Sequence, residues 1–205
     1  MKAVLVNERQ VMPSKVVCVG RNYVEHIQEL CNEIPEEMVV FVKPNSAISD
    51  NLLSTHGEQL HYEGELCFMF EAGTFNAVGF GLDLTKRFLQ TRLKAKGLPW
   101  ERAKAFDGSV VFSPFVRFEK SVDLSFILEI NGTQQQRADQ SLMMYKPDEI
   151  LAEISTFMTL ADGDIVMTGT PQGVGRVNPG DLFEGKVFES GQLLTSKKWT
   201  AEKTG

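Results

Sequence analysis

The chain has 205 residues, of which 42% are hydrophobic and 23% are charged, and its formal net charge at pH 7 is −6. These values are typical of one globular domain and exclude a mainly disordered chain, so we predict a single domain over residues 1–205. The excess of acidic side chains argues against nucleic acid as the main partner, because phosphate binding needs clustered positive charge.

The first part of the chain contains short runs rich in Val and Phe, each bounded by polar, Gly or Pro residues: AVLV, KVVCVG and MVVFVKP. Such runs predict β-strands. Between the second and third runs, Tyr23, Ile27 and Leu30 recur at spacings of four and three, which predicts a helix that ends before Pro35. The alternating segment LHYEGELCFMF predicts a further strand.

The segment DLTKRFLQTRLKAKGLP gives the strongest helix prediction, and Gly97 and Pro99 mark the end of that helix. Its predicted apolar stripe comprises Leu82, Phe88, Leu89 and Leu93. Further along, Asn131-Gly132 predicts a β-hairpin, because this dipeptide favours two-residue hairpin turns.

The segment KPDEILAEISTFMTL predicts a second helix, and strands with turns follow it to a frayed C-terminal end. The apolar stripe of this helix comprises Ile150, Leu151, Ile154, Phe157 and Met158. We therefore predict a mostly β (α+β) fold with a few helices.

Two further features concern the cellular setting. No segment approaches the roughly 20 consecutive apolar residues that a membrane span needs, and Asn7 ends the first apolar run too early for a signal peptide. The three cysteines, Cys18, Cys31 and Cys67, form no CxxC pair, so neither a disulfide framework nor a zinc finger fits them. We predict a cytoplasmic protein.

The first group of candidate functional residues is Glu63-Gly64-Glu65, in a strand-like segment. Residues i and i+2 of a strand point to the same face, so two carboxylates would project side by side. Hard divalent cations such as Mg²⁺ and Ca²⁺ prefer oxygen ligands of this kind. An edge strand with its polar face in water explains the same pattern, and the pair alone does not decide between them.

A second group lies at the predicted start of the strongest helix. Asp83, Arg87 and Gln90 are spaced by four and three residues, which would place them on one helix face. An acidic cap with an ordinary Asp–Arg pair explains this group equally well.

A third group follows the second strand. Gly20-Arg21 precedes a predicted helix start and is a candidate anion site. On that helix, His26 and Glu29 are three residues apart, and a carboxylate beside a histidine raises its basicity, as a general base requires. A surface His–Glu pair is the alternative.

Two other features could contribute to a site. The turn Thr168–Pro171 is rich in backbone N–H groups and hydroxyls, which could bind a carboxylate or could simply connect two strands. Lys104 lies just beyond the strongest predicted helix, and Lys43 lies in the strand-like segment FVKP. Taken alone, each is typical of a solvated lysine.

Six stretches, in this order, resemble the fumarylacetoacetate hydrolase family, and most closely its small acylpyruvate hydrolase and oxaloacetate decarboxylase members. They are VVCVGRNYVEHIQEL, FVKPNSA, LHYEGELCF, GLDLTKRFLQTRLKAKGLPWERAKAFDGS, LEINGTQQQ and GDIVMTGTPQGVG. Together they cover most of the chain. The resemblance implies a mixed β-sandwich roll with peripheral helices, usually assembled as a homodimer.

The resemblance also implies roles for individual residues. Glu63, Glu65 and Asp83 are implied to bind Mg²⁺ or Mn²⁺, with Ca²⁺ as a further candidate. His26 and Glu29 are implied to activate water on a short helix that covers the substrate, and Lys104 is the implied active-site lysine. The implied substrate-binding residues are Arg21, Lys43, Arg87, Gln90 and Thr170.

The expected chemistry is metal-dependent cleavage of the C–C bond of acylpyruvates or related 2,4-dioxo acids through a pyruvate enolate. Decarboxylation of oxaloacetate passes through the same enolate, and isomerisation of a 2-oxo diacid is a further alternative. A non-catalytic dicarboxylate-binding module is less well supported, because all five metal-ligand and His–Glu positions are filled. The short segment TFNAV before Asp83 is a departure from the family pattern.

Overall fold

The computed structural model describes residues 1–29, 35–118 and 123–203, and for residues 26–28 it describes the main chain only. The strands are β1 Val4–Val6, β2 Arg9–Val11, β3 Lys15–Gly20, β4 Val39–Pro44, β5 His61–Tyr62, β6 Gly64–Glu71, β7 Thr74–Asp83, β8 Val110–Phe112, β9 Val116–Arg117, β10 Leu124–Ile130, β11 Thr133–Asp139, β12 Ile165–Met167, β13 Gly175–Arg176, β14 Leu182–Glu189 and β15 Gln192–Thr200. The α-helices are α1 Val24–Glu29, α2 Arg87–Ala95, α3 Glu101–Lys104 and α4 Pro147–Phe157. The predicted mostly β composition with few helices is confirmed.

Two larger sheets form the body of the fold. One runs in the order β4-β3-β12-β6-β7-β8 with β9 added to β7, and the other runs in the order β11-β10-β14-β15. The first sheet is mixed, because β12 pairs with β3 in parallel and with β6 in antiparallel orientation. The second sheet is antiparallel throughout.

The two sheets pack face to face through aromatic side chains. The ring of Phe80 on β7 lies 5.5 Å from the ring of Phe126 on β10 and 6.2 Å from that of Trp199 on β15, measured between centroids. Phe80 also lies directly over Gly185 of β14, where a Cβ would come within 2.0 Å of the ring. The close approach at this glycine confirms the predicted sandwich of two sheets.

The predicted hairpin is confirmed. Asn131 and Gly132 connect β10 to β11, both with positive φ, at 52° and 77°, as a type I′ turn requires. The second predicted helix is also confirmed as α4, with Ile150 and Ile154 fully buried. Phe157, which we placed in its apolar stripe, is 56% exposed.

The helix predicted from residue 82 onward begins later than expected. Leu82 and Asp83 are the last residues of β7, since Asp83 pairs with Val110 of β8, and α2 begins only at Arg87. Of the predicted stripe, Leu93 is buried but Phe88 is 66% exposed. The prediction was wrong here because sheet pairing with a distant strand overrides the local helical pattern.

The first predicted helix is confirmed as α1 from Val24 to Glu29. Tyr23, which we placed on its apolar face, lies before it in an isolated β-bridge with Met143, and Leu30 and Cys31 lie outside the described residues. Cys18 and Cys67 are buried free thiols. None of the described helices is long and apolar enough to cross a membrane.

The strand directions bring several chain segments to one edge of the larger sheet. The carboxyl ends of β3, β7 and β12 meet the amino end of β6 there, because β12 is parallel to β3 and both β12 and β7 are antiparallel to β6. Asp83 at the end of β7, Glu63 and Glu65 at the start of β6, and Arg21 and Thr170 after β3 and β12 are thereby brought to one edge.

Candidate metal centre and its cavity

Three carboxylates converge at this edge of the sheet. Glu63 and Glu65 flank Gly64 at the start of β6, and Asp83 ends β7. The main-chain N–H of Asp83 donates to the carbonyl of Glu63 at 2.8 Å, which places the three side chains side by side. All three are buried, and they offer ligand oxygens within 4.8 Å of one another.

Lys104, the last residue of α3, lies among these carboxylates. Its ammonium donates to Oε2 of Glu63 at 2.8 Å, to Oδ2 of Asp83 at 2.7 Å and to the hydroxyl of Thr85 at 2.6 Å. Burial lowers the pKa of Lys104, but Asp83 and Glu63 more than offset it, so the pKa lies above its ordinary value. Lys104 is therefore a fixed positive charge rather than a base.

Lys43 lies behind Asp83, on the strand β4. Its side chain is fully buried, and its Nζ lies 2.8 Å from Oδ1 of Asp83 and 3.1 Å from both the carbonyl and the hydroxyl oxygen of Ser109. It also donates to the carbonyl of Lys104. Lys43 thus holds Asp83 and Lys104 in place, and it is not among the described residues that line the cavity above the carboxylates.

Helix α2 contributes one face to the site. Arg87 donates to Oε1 of Glu63 and, at 2.8 Å, to Oε1 of Gln90. Lys94 follows on the same helix face, four residues after Gln90, and also lines the cavity. The face predicted from spacing therefore consists of residues 87, 90 and 94, whereas Asp83 reaches the site from the end of a strand.

Glu65 is the carboxylate most affected by burial. Its Oε2 accepts a hydrogen bond from the N–H of Gly169 at 2.7 Å. Burial, together with the neighbouring charges of Asp83 and Glu63, raises the pKa of Glu65 well above its usual range. Lys104 offsets this repulsion in part, but its ammonium donates to Glu63 and Asp83, so a second cation beside Glu65 would stabilise all three charges.

These residues fit a divalent metal ion. All the ligand atoms are carboxylate oxygens, which suit hard cations such as Mg²⁺, Mn²⁺ and Ca²⁺ better than the softer metals that sulfur ligands select. The raised pKa of Glu65 indicates a cluster that is costly to ionise without such a cation.

A cavity of about 480 Å³, counting the space open to solvent, lies against the three carboxylates. Arg21 borders it directly after β3, in the left-handed backbone region with φ of 57°, an uncommon conformation for a residue with a side chain. Phe41 and Trp100 form an aromatic part of the wall, with ring centroids 5.9 Å apart. The cavity therefore combines acidic, basic and apolar surfaces.

The loop after β12 forms another part of the wall, next to Glu65. Thr170 lines the cavity, and its hydroxyl accepts a hydrogen bond from Nε2 of the buried Gln136 at 2.9 Å. Asn22 fixes the base of the loop, since its amide donates to the carbonyl of Thr168 at 2.9 Å. The candidate anion site around residues 20 and 21 is thus joined to the Thr170 loop.

Helix α1 approaches the same loop through Glu29. Oε1 of this exposed residue accepts a hydrogen bond from the N–H of Gly173 at 3.0 Å. His26 lies on α1, but its side chain is outside what the structure describes, so the predicted His26–Glu29 pair stays a prediction.

The structure thus brings nearly all the predicted site residues to one place. Glu63, Glu65, Asp83, Lys104, Arg87, Gln90, Arg21 and Thr170 line the cavity. Sequence reasoning missed Lys94 and Gln136 as parts of this region. The spacing of 87, 90 and 94 could have identified Lys94, whereas no local signal identifies Gln136.

Comparisons with known proteins agree with this arrangement. The model of the fumarylacetoacetate (FAA) hydrolase C-terminal domain matches residues 15–196. The oxaloacetate tautomerase YcgM of Escherichia coli is 38% identical over 204 residues, covering 90% of this chain and 92% of that protein. The mitochondrial oxaloacetate tautomerase FAHD1 of Homo sapiens is 37% identical over 190 residues, covering 84% and 86% respectively.

Among solved structures, fumarylpyruvate hydrolase from Pseudomonas aeruginosa, in complex with Mn²⁺ and pyruvate, superposes with a TM-score of 0.85. It is 29% identical, and the match covers 98% of this chain and 96% of that one.

Proposed function

This chain belongs to the fumarylacetoacetate hydrolase family, and we propose that it is a divalent-metal-dependent enzyme that acts on small 2-oxo acids through their enol or enolate form. The observation that carries the proposal is the buried cluster of Glu63, Glu65 and Asp83 with Lys104 bonded to two of its members. A 2-oxo acid can offer carboxylate and keto oxygens to such a cluster.

The proposed mechanism assigns different tasks to the metal and to the protein. A divalent ion held by Glu63, Glu65 and Asp83 would supply positive charge at the substrate oxygens. Lys104, which bonds Glu63 and Asp83 at the edge of the cavity, would donate to the oxygen on which negative charge develops. Thr170, which also lines the cavity, would donate to the substrate carboxylate.

The first candidate reaction is keto–enol interconversion of oxaloacetate. The E. coli and human relatives with this name are 38% and 37% identical to the chain over most of its length, which supports the candidate. In this reaction water takes a proton from C3 and returns a proton to the keto oxygen, so the species to be stabilised is an enolate. Lys104 is suited to that task.

The second candidate is hydrolysis of the C3–C4 bond of acylpyruvates. The contact of Glu29 with Gly173 favours it, because this contact holds the carboxylate beside the Thr170 loop, three residues after His26. His26, paired with Glu29, would take a proton from the water that attacks the C4 carbonyl, and the pyruvate part would leave as an enolate. Decarboxylation of oxaloacetate forms the same pyruvate enolate, whereas isomerisation of a 2-oxo diacid passes through an enolate of the intact substrate.

Two assays distinguish these candidates. Purified protein with Mn²⁺ or Mg²⁺ is mixed with enol oxaloacetate and, separately, with acetylpyruvate, and the ultraviolet absorbance of each is followed while pyruvate is measured in parallel. Metal-dependent loss of the enol absorbance without pyruvate supports the tautomerase, and pyruvate from acetylpyruvate supports the hydrolase. Turnover of both substrates that survives chelation, or in Glu65→Gln, would contradict the proposal.

Three further properties belong to this proposal. Mg²⁺ is the proposed physiological ion, with Mn²⁺ and Ca²⁺ as alternatives, since all three accept carboxylate oxygens. The homodimer implied by the family resemblance would be tested by light scattering after size-exclusion chromatography. A cytoplasmic location is proposed from the buried free thiols Cys18 and Cys67, which suit a reducing compartment.

A further inference from the structure

We propose that Gln136 is a positioning residue that fixes both the metal-ligand segment and the substrate-facing hydroxyl of Thr170. The part of this inference that concerns substrate rests on the proposed function, and the part that concerns the metal ligands does not. Gln136 lies on β11, in the other sheet from the three carboxylates, and it is 2% exposed. Its amide is hydrogen-bonded to Gly64 in the metal-ligand segment and to Thr170 in the loop after β12.

A β-bulge points this side chain inward. Leu128 of β10 pairs with Gln136 while the next residue, Glu129, pairs with Gln134, so Gln135 is an extra residue in β11. The bulge leaves Gln134 exposed and Gln136 buried opposite Leu128. Bulges commonly reorient one side chain next to a functional site.

The hydrogen bonds of Gln136 determine which end of its amide is the oxygen. The N–H of Gly64 can only donate, so the atom 2.9 Å from it is the acceptor Oε1. The carbonyl of Pro171 can only accept, so the atom 3.0 Å from it is the donor Nε2. The same nitrogen lies 2.9 Å from the hydroxyl oxygen of Thr170.

This orientation fixes the direction of the Thr170 proton. A hydroxyl oxygen that accepts an N–H keeps its own O–H available for another acceptor. The described alternative acceptor, the carbonyl of Pro171, is 3.4 Å from Oγ1, which is long for a bond between oxygens. Thr170 is therefore held as a donor toward the cavity, where the carboxylate of a 2-oxo acid would lie.

At its other end, Gln136 binds the residue between two proposed metal ligands. Gly64 separates Glu63 from Glu65, and its N–H has Oε1 of Gln136 as acceptor. A Cβ on Gly64 would lie 2.8 Å from that oxygen, so the two groups are in close contact. Loss of the bond would free the segment that sets the spacing of two carboxylates.

The test compares the same substitution at two positions of one strand. Gln136→Met removes the amide at similar length, and Gln134→Met is the matched control at an exposed position. We expect Gln136→Met to weaken Mn²⁺ binding, measured by calorimetry, by about 10- to 100-fold, the usual effect of removing a group that orients metal ligands. KM measured at saturating Mn²⁺ should rise while kcat changes less, and Gln134→Met should match the wild type.

A second variant distinguishes the effect of losing the amide N–H donors from the effect of changing the side-chain volume. Gln136→Glu keeps the shape and an acceptor for Gly64 but loses both N–H donors, so we expect the same rise in KM. If both Gln136 variants fold, by circular dichroism and thermal melting, and retain wild-type Mn²⁺ affinity and KM, the proposal is wrong. If neither folds, Gln136 is a residue of the fold, and the proposal is equally overturned.

A double-mutant cycle with Thr170→Val tests the route of the effect. If Gln136 acts on substrate through Thr170, the double variant should have the KM of Thr170→Val alone, whereas independent roles would give multiplied effects. A wild-type protein that binds Mn²⁺ but turns over none of the substrates would refute the proposed function only. The Mn²⁺ affinities of Gln136→Met and Gln134→Met would then still decide the positioning role.

Discussion

The ammonium nitrogen of Lys43 lies 2.8 Å from Oδ1 of Asp83, and neither side chain is more than 1% exposed. Lys104 holds Oδ2 of the same carboxylate at 2.7 Å, so two buried cations share one acid. Of these two lysines, only Lys104 borders the cavity. The two lysines therefore differ in function: Lys43 supports the acid from behind, and Lys104 is placed to meet a substrate.

From this difference we predict separate effects of two lysine substitutions. Lys43→Met should lower the free energy of unfolding by about 1–3 kcal/mol, because Oδ1 of Asp83 and the carbonyl of Ser109 lose a buried partner while Lys104 still holds Oδ2. It should also weaken Mn²⁺ binding while KM at saturating metal stays near the wild-type value. Lys94→Met, at the cavity wall, should raise KM and leave Mn²⁺ affinity unchanged. Urea titration, calorimetry and steady-state kinetics measure these effects.

The opposite pattern for Lys43→Met, with KM raised and metal affinity kept, would contradict this assignment. It would return Lys43 to the substrate-binding role that the family resemblance implied.

The second prediction concerns Glu65. In the metal-free protein, Glu65→Gln should be more stable than the wild type at pH values where Glu65 is ionised, because the amide avoids burial of a charge. Mn²⁺ should no longer raise its Tm, and activity should be absent. Glu153→Gln, an exposed substitution on α4, is the matched control and should keep the wild-type response. A Glu65→Gln protein with full activity would remove Glu65 from the ligand set.

The third prediction is the pH dependence of metal binding. Burial raises the pKa of Glu65 in the folded protein, so its contribution to stability is complete at low pH and is lost as pH rises through that raised pKa. Metal binding requires the ionised carboxylate, and it should therefore release a proton wherever the pH lies below that raised pKa. Calorimetry in two buffers with different ionisation enthalpies measures the number released. Equal binding enthalpies in both buffers would show that Glu65 is already ionised.

The fourth prediction concerns a buried acid far from the cavity. The carboxylate of Asp164 accepts hydrogen bonds from Ser14, Lys15 and the N–H of Ala161. Although burial opposes it, these bonds lower the pKa of Asp164 below its ordinary value. Its contribution to stability is thus present at neutral pH and is lost as pH falls through the lowered pKa.

Asp164→Asn should accordingly reduce the free energy of unfolding by about 2–4 kcal/mol at pH 7, with a smaller difference from the wild type below about pH 4. Thermal melts between pH 3 and 7 measure this. A difference that stays constant over the range would mean that the charge of Asp164 contributes nothing.

The parts of the site that the sequence predicts are those set by local geometry. Glu63 and Glu65 are two residues apart at the start of a strand, so their common direction follows from the pleat alone. The i, i+3 spacing of Arg87 and Gln90 similarly follows from the helix. In both cases the partners are close in the chain, and the pattern of residues carries the information.

The parts that the sequence does not predict depend on contacts between distant segments. Asp83 was expected at a helix start but ends a strand, because pairing with β8 extends β7 to that residue. Lys43 has the pattern of an ordinary lysine, and only the meeting of β4 with Asp83 makes it a buried partner. The direction of Gln136 depends on a bulge in a hairpin of the second sheet.

The last prediction separates the two candidate reactions through Glu29. In Glu29→Gln the side-chain carbonyl can still accept the N–H of Gly173, so α1 should keep its attachment while the negative charge beside His26 is removed. If His26 and Glu29 activate water, this variant should lose about 100-fold or more in acylpyruvate hydrolysis, the typical contribution of a general base. Oxaloacetate tautomerisation needs no attacking water and should be nearly unchanged, and His26→Ala should behave in the same way. Equal losses of both activities in Glu29→Gln would instead indicate that Glu29 serves a step common to both reactions, and would argue against a dedicated role in activating water.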